Sequence, residues 1–195
     1  MRRVILFMHM TLDGFIAREN GAMDWATMTD QEMDKYMAFN MLMDVGTMIL
    51  GRVLFQGFEK AWPAMAADPK SPKELVDFAH WIEDSPKIVF SKTLDNIGWK
   101  NSRLVKVKSD QDIVTEILKL KEQPGKDIVL FGGARFSQTC AKEGLVDEYR
   151  FKLEPVALGT GRALFQEIKN MAKLKLIHSK AFDSGVLGLY YQPIR

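Results

Sequence analysis

The chain predicts an α/β fold: one mostly parallel, twisted central sheet with helices on both faces and an antiparallel hairpin at its C-terminal edge. Three observations carry this. Apolar runs at residues 4–10, 45–50, 87–91, 104–107 and 127–131 are short and rich in β-branched or aromatic residues. They are nearly continuous in hydrophobicity, as strands covered on both faces are. Segments with helix start signals lie between them, and alternation of this kind builds a single layered sheet. Past residue 145 the style changes to strands at 149–156, 174–182 and 186–192, the last two joined by Asp183-Ser184-Gly185, a hairpin turn by composition.

Each element has a local reason. The first run follows Met1-Arg2-Arg3 in the manner of a leader, but His9, Asp13 and Arg18 interrupt it and no small-residue cleavage site follows, so it reads as a strand. Thr29-Asp30-Gln31-Glu32 has the form of a capping box, and Ser71-Pro72-Lys73-Glu74 repeats it with proline at the first helical position. Ser109 opens a third helix whose apolar face is Ile113, Ile117, Leu118 and Leu120. Residues 157–161 read as a loop. Met33, Met37 and Met41 recur every four residues, which suits pliable core packing or an adaptable cleft floor. Trp62, Trp81 and Trp99 are assigned to packing.

Composition narrows the function classes. With 195 residues the chain suits one domain, 1–195. A formal charge of +2 with no basic block gives no electrostatic footprint for nucleic acid. No apolar run approaches the roughly 20 residues of a membrane span. The single cysteine, Cys140, suits a reducing compartment and reads as a small buried hydrophobe, so a cytoplasmic protein is expected.

In open α/β sheets ligands gather beyond the carboxyl ends of the strands. Three ends stand out: Gly51-Arg52-Val53-Leu54, Ser91-Lys92-Thr93 and Gly132-Gly133-Ala134-Arg135. Two are glycine turns entering helices, where free N–H groups and the helix dipole can hold phosphate. Arg52 and Lys92 add cations able to clamp a further phosphate. Gly159-Thr160-Gly161-Arg162 lacks the third glycine of a dinucleotide fingerprint, and no P-loop or hydrolase elbow occurs. His9, His80 and His178 are scattered, so no metal site is expected.

An ordered series of segments resembles the dihydrofolate reductase-like superfamily. Within it, the chain is similar to the small bacterial proteins related to the reductase domain of riboflavin biosynthesis. The segments are Thr11-Leu12-Asp13-Gly14-Phe15-Ile16-Ala17, Leu50-Gly51-Arg52, Val129-Leu130-Phe131-Gly132-Gly133-Ala134, Leu145-Val146-Asp147-Glu148, and the stretch from Pro155 to Phe165. The zinc deaminase that often accompanies that reductase has no counterpart, since neither His-x-Glu nor Pro-Cys-x-x-Cys is present.

The resemblance implies a single dihydrofolate reductase-like domain that binds NADPH. Gly51, Arg52, Val53 and Leu54 would approach the phosphates, with Arg52 on the 2′-phosphate. Ser91 and Lys92 would meet the adenosine end, and Gly132, Gly133, Ala134 and Arg135 the pyrophosphate. Backbone at His9 and Ile16 would hold the nicotinamide carboxamide. Leu54 stands where dihydrofolate reductases carry a phosphate-binding threonine. On the substrate side, Trp25 and Asp30 keep the family's tryptophan-to-acid spacing, which casts Asp30 as the catalytic acid; it also reads simply as a first-turn helix acid. Asp13 reads as a turn former or as part of the cofactor–substrate junction, and Met33 and Met37 as cleft floor. Asp34 occupies the turn where folate enzymes place a stacking aromatic. The expectation is an NADPH-dependent reductase of a small pterin-like or aminopyrimidine-like substrate, with weak dihydrofolate reduction as a side activity and a homodimeric assembly. The alternative is a non-catalytic NADPH sensor or interaction module on the same fold.

Overall fold

The computed structural model describes residues 1–27, 32, 35–36, 44–166, 168 and 171–194. In chain order the elements are β1 (Val4–Thr11), β2 (Phe15–Ala17), β3 (Val45–Gly51), α1 (Arg52–Ala67), α2 (Lys73–Asp84), β4 (Lys87–Ser91), β5 (Ser102–Lys106), α3 (Asp110–Glu122), β6 (Asp127–Leu130), α4 (Ala134–Lys142), β7 (Glu148–Glu154), β8 (Arg162–Ala163), β9 (Leu174–Ala181) and β10 (Leu187–Pro193). Eight strands make one sheet in the order β5-β4-β3-β6-β1-β7-β10-β9. Every pair from β5 to β7 is parallel, while β10 runs antiparallel to both β7 and β9.

Side chains alternate across the pleat, so each central strand feeds two cores. Val4, Leu6 and Met8 of β1 pack with Ile113 and Ile117 of α3 and with Phe136 and Cys140 of α4. Ile5, Met48, Leu50, Val89 and Val129 face the other way, towards Phe55 of α1 and Ile82 of α2. Helices therefore cover both faces, as the apolar runs required. Cys140 is fully buried, and burial pushes its thiol up, which makes it inert. Trp62 packs edge-on to Phe58 and Phe78, Trp81 stacks on Phe78, and Trp99 packs on Phe55.

Local chemistry explains where the elements start. Ser109 caps α3, and Asp112 returns the bond by accepting the Ser109 N–H at 2.9 Å. The expected box at Ser71 does not form: Pro72 is the cap residue of α2, and the Ser71 hydroxyl instead donates back to the Met65 carbonyl at 2.8 Å, closing the turn from α1. The box at Thr29, with Asp30, Met33 and Met37 beyond it, lies outside the described residues. Lys87, at the start of β4, is fully buried and donates to the carbonyls of Ile82, Glu83 and Ser85 at 2.7–2.9 Å. Its ammonium thus satisfies the C-terminal end of α2 and sits 4.5 Å over the Trp99 ring.

Two features depart from the sequence reading. Arg162–Ala163, placed after a loop, forms β8 and pairs antiparallel with β2. The strand expected at 149–156 spans Glu148–Glu154, and its polar side chains are not solvated. Glu148, Arg150, Lys152 and Glu154 are all buried, because strand alternation turns them towards the second covered face of the sheet.

Candidate active site

The parallel strands β4, β3, β6 and β1 are neighbours, so their carboxyl ends share one edge of the sheet. Gly51 lies opposite Phe90 in register, and its N–H donates to the Gly132 carbonyl at 3.3 Å. The turns at Gly51-Arg52 and Gly132-Gly133 are therefore in contact, with Ser91-Lys92 one strand away. A Cβ on Gly51 would lie 3.3 Å from Phe136 Cβ, which explains the glycine. The structure brings these three predicted strand ends together.

Two helices begin at this edge without caps. α1 starts after Gly51 and α4 after Gly133; neither has a side-chain cap bond or an acidic residue in its first turn. Their leading N–H groups and positive dipole ends face the same region. Arg52, exposed, donates at 3.3 Å to Gln56 one turn on, and neither Arg52 nor Lys92 meets an acid among the described residues. Val53 is exposed beside them and Leu54 packs against the core. Gly132 and Gly133 take φ values of +79° and +93°. A Cβ at Gly132 would sit 2.5 Å from Ser137 Oγ, and that hydroxyl is buried with no hydrogen-bond partner among the described residues. Ser91, by contrast, is occupied: its Oγ accepts the N–H groups of Thr93 and Leu94 and holds its own loop. Arg135 faces a cleft between α3, α4 and β8 that also takes in Lys142 and Arg162.

Next along the edge, the loop after β1 is tied to the segment after β7. Asp13 accepts the Thr11 hydroxyl at 2.5 Å and the N–H groups of Leu158 and Gly159 at 2.9 and 2.7 Å. The Thr11 hydroxyl first, then the Gly159 amide, hold its carboxyl below the usual range. Arg162 donates twice to the Glu19 carbonyl. A Cβ on Gly161 would lie 2.6 Å from the Ala17 carbonyl, so the Gly159-Thr160-Gly161 run makes strand pairing possible. Asp13 is thus a turn former and a clamp between loops. The Ile16 side chain is buried in the α3–α4 core, leaving only its backbone for a ligand.

A constellation that sequence reasoning missed lies on the opposite face of β1 and β7. His9 and Lys152 are in register, as are Thr11 and Glu154. His9 Nδ1 lies 2.7 Å from Glu154 Oε1, and the other carboxylate oxygen accepts the Thr27 N–H at 3.1 Å. Burial pushes the Glu154 carboxyl up, but the His9 and Thr27 contacts outweigh it and hold it below the usual range. Glu154 is completely buried, whereas the His9 side chain keeps 14% exposure. Lys152 donates to the Thr27 carbonyl at 3.4 Å. Trp25, two residues before Thr27, is half-buried, and its indole N–H meets no acceptor among the described residues. The signal in the sequence was the alternation Glu148, Arg150, Lys152, Glu154, which on a strand with two covered faces places charges inside. Among the described residues no cluster of His, Cys, Asp and Glu could hold a metal ion, and no helix is long and apolar enough to cross a membrane.

Comparison with known proteins agrees with this architecture. The family model for the RibD C-terminal domain matches residues 2–188. The uncharacterized protein YyaP of Bacillus subtilis (strain 168) is 38% identical over 191 residues, 97% of this chain and 94% of that protein. Acinetobacter baumannii RibD superposes with a TM-score of 0.67 at 17% identity, over 100% of this chain and 59% of that one. A dihydrofolate reductase from Enterococcus faecalis, complexed with NADP(H), superposes with a TM-score of 0.60 at 16% identity, over 99% of this chain and 97% of that one. The last two likenesses establish a dihydrofolate reductase-like fold. Together with the family match they lead to one statement of kinship: the chain belongs to the RibD C-terminal domain family.

Proposed function

We propose that the protein is an NADPH-dependent reductase of a small pterin-like or aminopyrimidine-like substrate. Membership of the RibD C-terminal domain family supports an oxidoreductase. The observation that carries the cofactor assignment is the pair of uncapped helix N-termini, at Gly51 and Gly133, meeting beside Arg52 and Lys92. The N–H groups of Ala134 and Arg135, backed by the Ser137 hydroxyl, suit a diphosphate. Arg52 and Lys92, which meet no acid among the described residues, suit the additional 2′-phosphate and the adenosine end. The phosphate contact forgone at Leu54 passes to the backbone N–H groups of Val53 and Leu54. Backbone at His9 and Ile16 takes the carboxamide end. When bound, the cofactor supplies a hydride, so the protein itself needs no nucleophile. Trp25, Asp30, Met33 and Met37 belong on the substrate side, with Asp13 holding the adjoining loop. Homodimeric assembly and a cytoplasmic location complete the reading; light scattering checks the first.

Fluorescence titration with NADPH and NADH tests the cofactor. NADPH is expected to bind more tightly, and Arg52→Ala to weaken NADPH about tenfold or more while leaving NADH nearly unchanged, since a charge-assisted contact to the 2′-phosphate is lost. Equal affinity for the two cofactors removes Arg52 as selector. NADPH absorbance followed with dihydrofolate and a panel of aminopyrimidines then tests turnover. Tight binding with no oxidation by any of them assigns the protein to sensing.

A further inference from the structure

We propose that the cleft between α3, α4 and β8 is a binding site for inorganic phosphate, independent of the cofactor reading above. The cleft holds about 500 Å³, within the range usual for small-ligand sites and ample for a phosphate with its remaining hydration water. One face of α4 forms its wall, where Arg135, Gln138 and Thr139 follow at helical spacing. Asp110 of α3 stands on one side, and Arg162 and Gln166 on the other. Every residue lining it is polar, so a compact hydrophilic ion suits it better than an aromatic ring. Arg135 thus serves two places: its N–H belongs to the Gly133 turn, its side chain to the cleft.

Two arginines distinguish this cleft from an ordinary solvated groove. Elsewhere Arg3, Arg18, Lys73, Lys100, Arg103 and Lys106 each meet a carboxylate at 2.5–3.0 Å. Arg135 is exposed and meets no acid among the described residues. Arg162 is fixed without being neutralised: Nε and Nη2 donate to the Glu19 carbonyl at 3.0 and 2.7 Å, and a carbonyl carries no net charge. A guanidinium already held in place, with its charge uncompensated, loses little side-chain freedom on taking an oxyanion. Gln138 sets the width of the cleft. Its amide donates to the Ala163 carbonyl at 2.7 Å and to Gln166 Oε1 at 3.3 Å, which ties α4 to β8. Lys142 also lines the cleft but makes an interaction of its own, and the two arginines suffice without it. The N–H groups at the start of α3 are served by its Ser109–Asp112 box, so α3 brings only the Asp110 side chain. That carboxylate decides which anion enters. It can only accept, so it repels a fully deprotonated ion and takes the O–H of one that keeps a proton. Hydrogen phosphate keeps one at neutral pH, and sulfate does not.

The test uses the full chain without cofactor. Inorganic phosphate, sulfate and glycerol 3-phosphate are titrated at neutral pH and constant ionic strength, with nitrogen-15 NMR following backbone and side-chain amides. Phosphate is expected to shift the side-chain amides of Gln138 and Gln166 and the Thr139 N–H along one saturable curve, with sulfate weaker. Glycerol 3-phosphate, mostly without its last proton at this pH, is also expected to be weaker. Arg135→Gln breaks no bond among the described residues and is expected to weaken phosphate about tenfold or more. Asp110→Asn is expected to remove the preference for phosphate over sulfate, and Arg52→Ala to leave these shifts unchanged. Shifts that do not saturate, a wild-type protein that takes sulfate as tightly as phosphate, or an Arg135→Gln variant that binds as the wild type does each overturn the proposal. Shifts confined to the N–H groups of Gly51, Arg52, Gly132 and Gly133 also overturn it, by placing the anion at the cofactor edge. An ester that binds more tightly than inorganic phosphate overturns the assignment to the free ion. No cofactor enters these titrations, so their failure leaves the NADPH reading standing, and failure to bind NADPH leaves this site standing.

Discussion

Two glycines in the same turn differ in what they tolerate. Gly132→Ala meets both an unfavourable φ and a clash with Ser137 Oγ and Met8 Cε, the latter 2.7 Å from the new Cβ. A loss of about 2–4 kcal/mol is expected, read as a lowered denaturation midpoint. Gly133→Ala has open space around it, but its backbone at φ +93° and ψ 126° lies outside the left-handed helical region, and that strain alone costs about 1–3 kcal/mol. The His9–Glu154 pair makes a pH-dependent contribution whose sign is fixed. The carboxyl titrates near 4.3 in the unfolded chain and lower in the fold, so the unfolded state binds more protons as acid is added. The contribution of the Glu154 carboxylate is complete above that range and is lost as pH falls through the folded value. Urea unfolding between about pH 5 and pH 3 is expected to show a steeper decline for the wild type than for Glu154→Gln.

Elements in this fold are joined by side chains that fill the bonds a helix or strand end leaves open. Lys87 is the strongest case, serving three carbonyls at the end of α2 from the first residue of β4. Lys87→Met keeps the apolar stem and removes the donors. The carbonyls of Ile82 and Ser85 then lose this donor, while that of Glu83 keeps the Asn101 amide, and a loss of about 2–3 kcal/mol is expected in urea unfolding. The helices α1 and α4 are the counter-examples, since their N-termini are left without caps. α3 shows what a helix start looks like when nothing else is to bind there: a full box of Ser109 and Asp112. The loop clamps follow the same logic, with Asp13 taking two amides that no strand pairs.

At the scale of the molecule, a ligand that binds only the folded state stabilises it by mass action. NADPH at a hundred times its dissociation constant is expected to add about 2.7 kcal/mol, a rise of roughly 5–10 °C in the thermal midpoint for a chain of this length. An unchanged midpoint counts against the cofactor site. The parallel sheet, the C-terminal hairpin and the turns at Gly51 and Gly132 were legible from the residues alone, because apolar runs, glycines and turn formers act through their immediate neighbours. So were the burial of Cys140 and the packing role of Trp62, Trp81 and Trp99. The failed cap at Ser71 and the short strand β8 were not, since each depends on a partner distant in the fold: the end of α1 in one case and β2 in the other. The sequence by itself determined which segments extend, which coil and where phosphate-seeking turns fall. Only the tertiary structure decided that β1 and β7 are neighbours, and with that the meeting of His9 and Glu154 across 145 positions of chain. The reason is physical: backbone preference is local, whereas the hydrogen bond between an imidazole and a buried carboxylate exists only once both strands share a sheet.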